Sequence, residues 1–306
     1  MSKLNKKIAI LLLGIACCTS LSSCYTAKKT QAAKLVTSTK EVLVKEISQI
    51  TEIQSVKDQQ LTDENIDTTI NNRIIAKLNK YNAYAGYVQS KTSLTDTLLS
   101  NSRNFRKNYK AVVLPAMAEM DSFVNKSPVR MAKYRMIKDG IAQSKKRLYE
   151  MAAFFGPGKY DIPEEKTEMA NTLFVPVIDS LINFANIYSS IDQTGTLVVN
   201  GYADGMNIDN TSPLYNLLLT ALKKTAAGKE ELNQQLSQLR ADAIAVLMEK
   251  LVTKKKDQFI SWGTFNINLF ENGQGETLPA KTIKDYTVDD ERRRVVLIYW
   301  SVLPKD

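Results

Sequence analysis

The chain is predicted to be α+β, with a helical hairpin or small bundle followed by a βαβαβ sandwich that carries an inserted helix. Two patterns predict this. From Ala27 to about Tyr149 glycine is scarce and apolar residues recur with the helical period; beyond that, short apolar runs bounded by glycine and proline alternate with further helical stretches. A hydrophobic content of 44% over 306 residues supplies core for one or two domains.

Residues 1–23 read as an export signal. Lys3, Lys6 and Lys7 form a basic start, and Ile8 to Cys18 an apolar run too short for a bilayer span of roughly 20 residues. Leu21-Ser22-Ser23-Cys24 then resembles the lipobox of bacterial lipoproteins, where small residues admit the peptidase and the cysteine sulfur accepts a lipid. The resemblance implies a lipidated (palmitate-bearing) Cys24. It also implies an outer-membrane location facing the periplasm, because Tyr25-Thr26-Ala27-Lys28-Lys29 lacks the aspartate that retains some lipoproteins at the inner membrane. The other reading is an ordinary signal peptide cut near Ser20 to Ser23, leaving Cys24 free. Cys17 and Cys18 leave with the signal, so the mature chain has no partner for an internal disulfide.

Residues 24–62 form a linker and helix. Ile47, Ile50, Ile53 and Val56 have helical spacing, although the β-branched residues also permit a strand. Residues 63–147 form the helical region. Thr62 and Asp63 read as N-cap residues ahead of Ile66, Ile70, Ile74, Leu78, Tyr81, Ala85 and Val88 on one face. Leu99, Phe105, Tyr109 and Val113 continue that face to Pro115, Met117, Met120 and Phe123 resume it, and Ser127-Pro128 opens a further helix with serine as N-cap. Such a region serves either as a spacer whose stripes pack on each other or as a coiled coil that binds a partner.

Residues 148–306 form the second domain. Met151 to Phe155 is a predicted strand ended by Gly156-Pro157-Gly158, Glu165 to Tyr188 a helix, and Gly195 a break. Thr196 to Asn200 is a strand, and Leu214 to Ala226 a helix entered through Ser212 and Pro213. Glu230 to Val252 is a longer helix, and Phe259 to Phe270 and Arg294 to Val302 are strands.

Four pieces of this domain resemble, in order, the motifs of the OmpA C-terminal family. They are Gly201-Tyr202-Ala203-Asp204; Asn233, Leu236, Ser237, Arg240 and Ala241; Gly273, Gly275, Glu276 and Pro279; and Arg293-Arg294-Val295. The resemblance implies that Asp204 and Arg240, with Asn233 and Tyr202 beside them, hold the diaminopimelate of a peptidoglycan stem peptide. A carboxylate beside a guanidinium fork matches an ammonium beside a carboxylate. The alternative for the pair is a plain ion pair from strand to helix, and Asn233 either touches ligand or satisfies backbone groups in the first helical turn. An insertion, 206–229, stands between the two halves of the site, and Ala203 occupies the place of the family's usual threonine. Gly201 reads as the residue of a tight turn.

The expected function is a tether between outer membrane and cell wall; the alternative is an envelope-complex subunit whose helices recruit a protein partner. The chain has no histidine, so imidazole catalysis is excluded, and Glu164, Glu165 and Glu168 suit a helix start better than a glycosidase pair. No enzyme activity, cofactor or metal is expected. The net charge of +9 falls to +6 once Lys3, Lys6 and Lys7 leave with the signal; it suits an anionic membrane, a cell wall or a nucleic acid alike, and export argues against the nucleic acid.

Overall fold

The computed structural model describes the backbone of residues 3–144, 147–150, 159–280 and 283–305, with side chains from residue 25 onward except those of 147–150. The expected strand Met151 to Phe155, its turn at Gly156-Pro157-Gly158 and the side chain of Cys24 lie outside the described residues.

The chain divides into two compact units, residues 1–52 with 77–134, and residues 53–76 with 135–306. The boundaries expected at 62/63 and 147/148 are therefore displaced. The reason is packing: Asp67 accepts a hydrogen bond from Asn200 Nδ2 at 2.9 Å and Arg73 lies over the Phe270 ring at 5.8 Å, which joins residues 53–76 to the sheet.

The first unit is helical. It takes in much of α1 (Lys3–Thr62) and α2 (Thr68–Leu99), together with α3 (Ser102–Asn108), a π-helical turn (Tyr109–Val113), α4 (Leu114–Asn125) and the start of α5 (Ser127–Gln143). Its core joins Val36 and Leu43 of α1, Ala85 and Val88 of α2, and Phe105, Tyr109, Val113, Met120 and Phe123. Ile50 is buried within the helical α1, so the strand alternative for that stretch fails. Asn101 caps α3 through its side chain. Pro115 does not end the helical face, because the π turn precedes it and the proline falls in the first turn of α4, where a missing N–H costs little. Ser127 Oγ donates to Glu46 Oε1.

The second unit contains a four-stranded sheet of order β1-β4-β2-β3, made of β1 (Arg147–Glu150), β2 (Gln193–Gly201), β3 (Asn266–Gly273) and β4 (Val295–Pro304). β4 is antiparallel to β1 and β2, and β2 is parallel to β3. Between strands run α6 (Thr167–Ile187), α7 (Pro213–Leu222) and α8 (Lys229–Lys254). Period-2 alternation turns Leu197, Val199, Val296, Ile298, Trp300 and Val302 into one core with Phe174, Ile178 and Leu181 of α6 and Ile244 and Met248 of α8. The residues between them, Val198, Leu297 and Tyr299, are buried as well, so the sheet is covered on both faces. The stretch Glu164–Ile187 is apolar and long enough to cross a membrane by composition, yet Phe174, Val177, Ile178 and Leu181 are fully buried in this core, which accounts for its apolarity.

Several sequence boundaries shift. Thr62 ends α1, and the cap of α2 is Asp67, whose Oδ1 accepts from Thr69 N at 2.6 Å; Ile66 is buried in the turn between. Gly195 lies inside β2, where a Cβ would sit 2.9 Å from the Phe265 ring, so it permits close packing and breaks nothing. Phe259 to Phe265 is turn and loop, following a 3-10 turn at Lys256–Gln258, and only Asn266 onward is strand.

Candidate functional site

The four motif pieces converge at one end of the sheet. Gly201 and Gly273 are register partners at the ends of the parallel strands β2 and β3. A Cβ on Gly201 would overlap Ser237 O, and one on Gly273 would lie 2.6 Å from Gln238 N, so both glycines let α8 cross the strand ends in backbone contact. Gly201 has no positive φ; the expected tight turn is replaced by close approach, and Gly275, at φ +56°, is the left-handed glycine.

That crossing is laced by hydrogen bonds. Ser237 Oγ accepts from Gly275 N at 2.8 Å, and Ala203 N donates to Gly275 O at 2.9 Å. Asn233 Nδ2 donates to Met206 O at 3.0 Å and to Glu276 Oε1 at 2.8 Å, tying the inserted segment to the β3–β4 loop. The amide thus satisfies a backbone carbonyl, one that lies in the insertion and not in its own first helical turn. Arg293 Nη2 donates to Glu276 O, which joins the last motif piece to the third.

Asp204 and Arg240 come close enough for the Asp204 charge to act on the guanidinium, but they are not each other's partner by hydrogen bonding in the arrangement foreseen. Arg294 Nε donates to Asp204 Oδ2 at 2.6 Å, while Arg240 donates from Nε to Lys159 O and from Nη1 to Tyr202 O, each at 3.0 Å. Arg240 is 1% exposed, and burial pushes its pKa down to about 10 against the opposing pull of Asp204. A charge removed from water takes whatever acceptors geometry allows, here main-chain carbonyls, and so its fork is turned inward. Arg294 is the functional candidate that residue reasoning passed over, though it stands in the Arg-Arg-Val motif.

Tyr202 is buried, and its hydroxyl pKa is raised by burial and by the charges of Asp67 and Glu64. Its carbonyl accepts from Arg240 Nη1.

Above Asp204 opens a cleft of about 350 Å³, lined by Lys159, Asp204, Asn233 and Leu236 and by Met206 to Asp209 and Ser212 to Leu214 of the insertion. The insertion is anchored by α7, which Ser212 caps through Tyr215 N at 3.2 Å and whose Leu218 and Leu219 pack on Leu232 and Leu236 of α8. Asp204 Oδ1 accepts one long bond, 3.4 Å, from Met206 N. Among the described residues no group of three or more acidic or cysteine side chains is placed to hold a metal ion. Comparison with protein-family models, with curated proteins and with solved structures finds no match to this chain.

Proposed function

We propose that the chain is an outer-membrane lipoprotein, anchored through Cys24, whose second unit is an OmpA-like domain that binds the peptidoglycan stem peptide without covalent linkage. The observation that carries this reading is the position of Asp204 in the wall of a cleft that Lys159 also lines, with Arg294 bonded to its carboxylate and Arg240 within reach of its charge. A zwitterionic amino-acid end needs an acceptor-only carboxylate for its ammonium and positive charge for its carboxylate. Asp204 Oδ1 is the acceptor. Lys159 answers the carboxylate directly, and Arg240 contributes positive potential while holding the carbonyls of Lys159 and Tyr202. The convergence of all four motif pieces supports the same reading, and the insertion narrows the cleft from one side. Durable attachment follows from acyl chains at one end and many weak wall contacts at the other.

A second reading, an envelope-complex subunit with wall binding weak or lost, is favoured by one observation: Asp204 and Arg240 already hold internal partners.

Co-sedimentation with purified sacculi separates the two. Wild-type protein is expected to pellet, and Asp204→Asn, which keeps the shape and removes the charge, to lose about ten-fold in binding, the value of a lost charge-assisted hydrogen bond. Unchanged pelleting of Asp204→Asn by folded protein refutes the site, and failure of the wild type to pellet refutes wall binding.

A further inference from the structure

The first unit has an end built of one charge sign. Between Tyr25 and Lys40 the sequence carries Lys28, Lys29, Lys34 and Lys40 and no acid, and between Asp96 and Glu119 it carries Arg103, Arg106, Lys107 and Lys110 and no acid. Folding puts the two stretches together. The rings of Tyr25 and Tyr109 meet edge to face at 6.1 Å, Lys28 Nζ lies over both, at 5.3 and 4.9 Å, and Arg106 lies over Tyr25 at 5.6 Å. Lys29 Nζ donates to Ser102 Oγ at 3.0 Å. Arg103, Arg106, Lys107 and Lys110 are exposed, as is Lys34, and Lys40, further along α1, pairs with Asp96.

Like charges gathered on one surface raise the free energy of the isolated protein and are offset when an anionic partner displaces their counterions. The patch begins at the residue after Cys24. We propose that this basic end, with Arg103, Arg106, Lys107 and Lys110 at its centre, docks on the anionic phospholipid headgroups of the bilayer into which the Cys24 acyl chains insert. Its occupant rests on the lipid-anchor reading; its charge geometry does not. Headgroup phosphates suit it for three reasons. The cations are spread over an exposed face rather than gathered round a pocket, Tyr25 supplies the amphipathic ring that membrane interfaces accept, and each basic residue near a charged bilayer adds to binding. Docking of this kind makes the lipid one of two attachments and fixes which end of the bundle faces the membrane.

The test uses the full chain with Cys24→Ser, so that no acyl chain contributes, and sediments it with vesicles of phosphatidylcholine alone or mixed with phosphatidylglycerol. The apolar leader binds both kinds of vesicle, so the readout is the preference for the anionic kind. Replacing Arg103, Arg106, Lys107 and Lys110 by glutamine is expected to cut that preference about ten-fold or more at low salt. The same net change made at Lys223, Lys250, Lys254 and Lys256, which are exposed on the second unit, leaves it nearly intact. Arg103→Lys with Arg106→Lys keeps charge and preference, which guards against a folding artefact. Equal loss in both quadruple variants, or no loss in the first, overturns the proposal. So does a first variant that keeps its vesicle preference and loses pelleting with sacculi, which assigns the patch to the wall polymer. Palmitate labelling of the unsubstituted chain reads the lipid-anchor proposal separately.

Discussion

Asp204 and Arg294, 90 positions apart, form a nearly buried ion pair, with Arg294 Nε donating to Asp204 Oδ2 at 2.6 Å and the two side chains 10% and 7% exposed. The pair joins the end of β2 to the start of β4, and the second carboxylate oxygen of Asp204, a residue of the cleft wall, accepts one long bond from Met206 N. Arg294 is thus the residue that orients Asp204, while Arg240 holds the surrounding backbone.

Arg294→Ala is therefore expected to destabilise the second unit by about 3–5 kcal/mol, because it leaves a carboxylate without its partner in a poorly solvated place. Asp204→Ala costs a similar amount. The double substitution costs clearly less than the sum, because each single one already breaks the same contact. Urea denaturation of the three variants checks this, and additive costs would show that the pair contributes nothing as a pair.

Two glycines in opposite settings make a second test. Gly273→Ala places a methyl 2.6 Å from Gln238 N and is expected to cost about 1–3 kcal/mol or more, with loss of cleft geometry. Gly86 stands inside α2 with nothing within 4 Å of its prospective Cβ, and Gly86→Ala is expected to stabilise by about 0.5–1 kcal/mol. Thermal melts of both variants give the signs directly.

The fold class and the helical stretches were legible because periodicity is local: α6, α8 and β2 lie within a few residues of their expected spans. The α1–α2 turn was not. Thr62, Asp63 and Asp67 all resemble caps ahead of an apolar run, and what selects Asp67 is its second oxygen's bond to Asn200, 133 positions away. Gly195 looked like a breaker because the Phe265 ring that demands it comes from a distant loop. At the site, motif order foretold which residues gather, and the structure brings them together. It did not foretell the pairing: Arg294 meets the Asp204 carboxylate, while Arg240 and Arg293 donate to main-chain carbonyls, a choice set by tertiary geometry that no local pattern carries.

Alkaline pH probes the buried tyrosines of the second unit. Burial, reinforced by Asp67 and Glu64, raises the hydroxyl pKa of Tyr202 and Tyr299 above the ordinary value of 10.0. The folded state then holds protons that the unfolded state releases, so their contribution is complete below pH 10 and is lost as pH rises beyond it. Stability is expected to fall progressively above about pH 10, and Tyr202→Phe with Tyr299→Phe to move the alkaline midpoint upward. Unfolding followed against pH, with tyrosinate absorbance in parallel, reads both. An unchanged midpoint in the double variant refutes the assignment.

In the first unit the corresponding constraint is Glu46, 1% exposed, which accepts hydrogen bonds from Ser127 Oγ at 2.7 Å, Arg130 Nε at 2.9 Å, Arg130 Nη2 at 2.7 Å and Tyr134 OH at 3.0 Å. Arg130 also donates to Phe123 O and lies 4.0 Å over the Phe123 ring. Every carboxylate lone pair is answered, which is what lets a charge remain buried in a bundle. Glu46→Ala strands the guanidinium and is expected to cost about 3–5 kcal/mol, and Glu46→Gln less, because an amide oxygen still accepts. Exchange of the pair for apolar residues, Glu46→Leu with Arg130→Met, is expected to recover most of the loss, since desolvation of both charges is then avoided. If urea midpoints rank the double variant below Glu46→Ala, the contact is a net contributor to stability. If they rank it above, its role is to fix which helix faces meet.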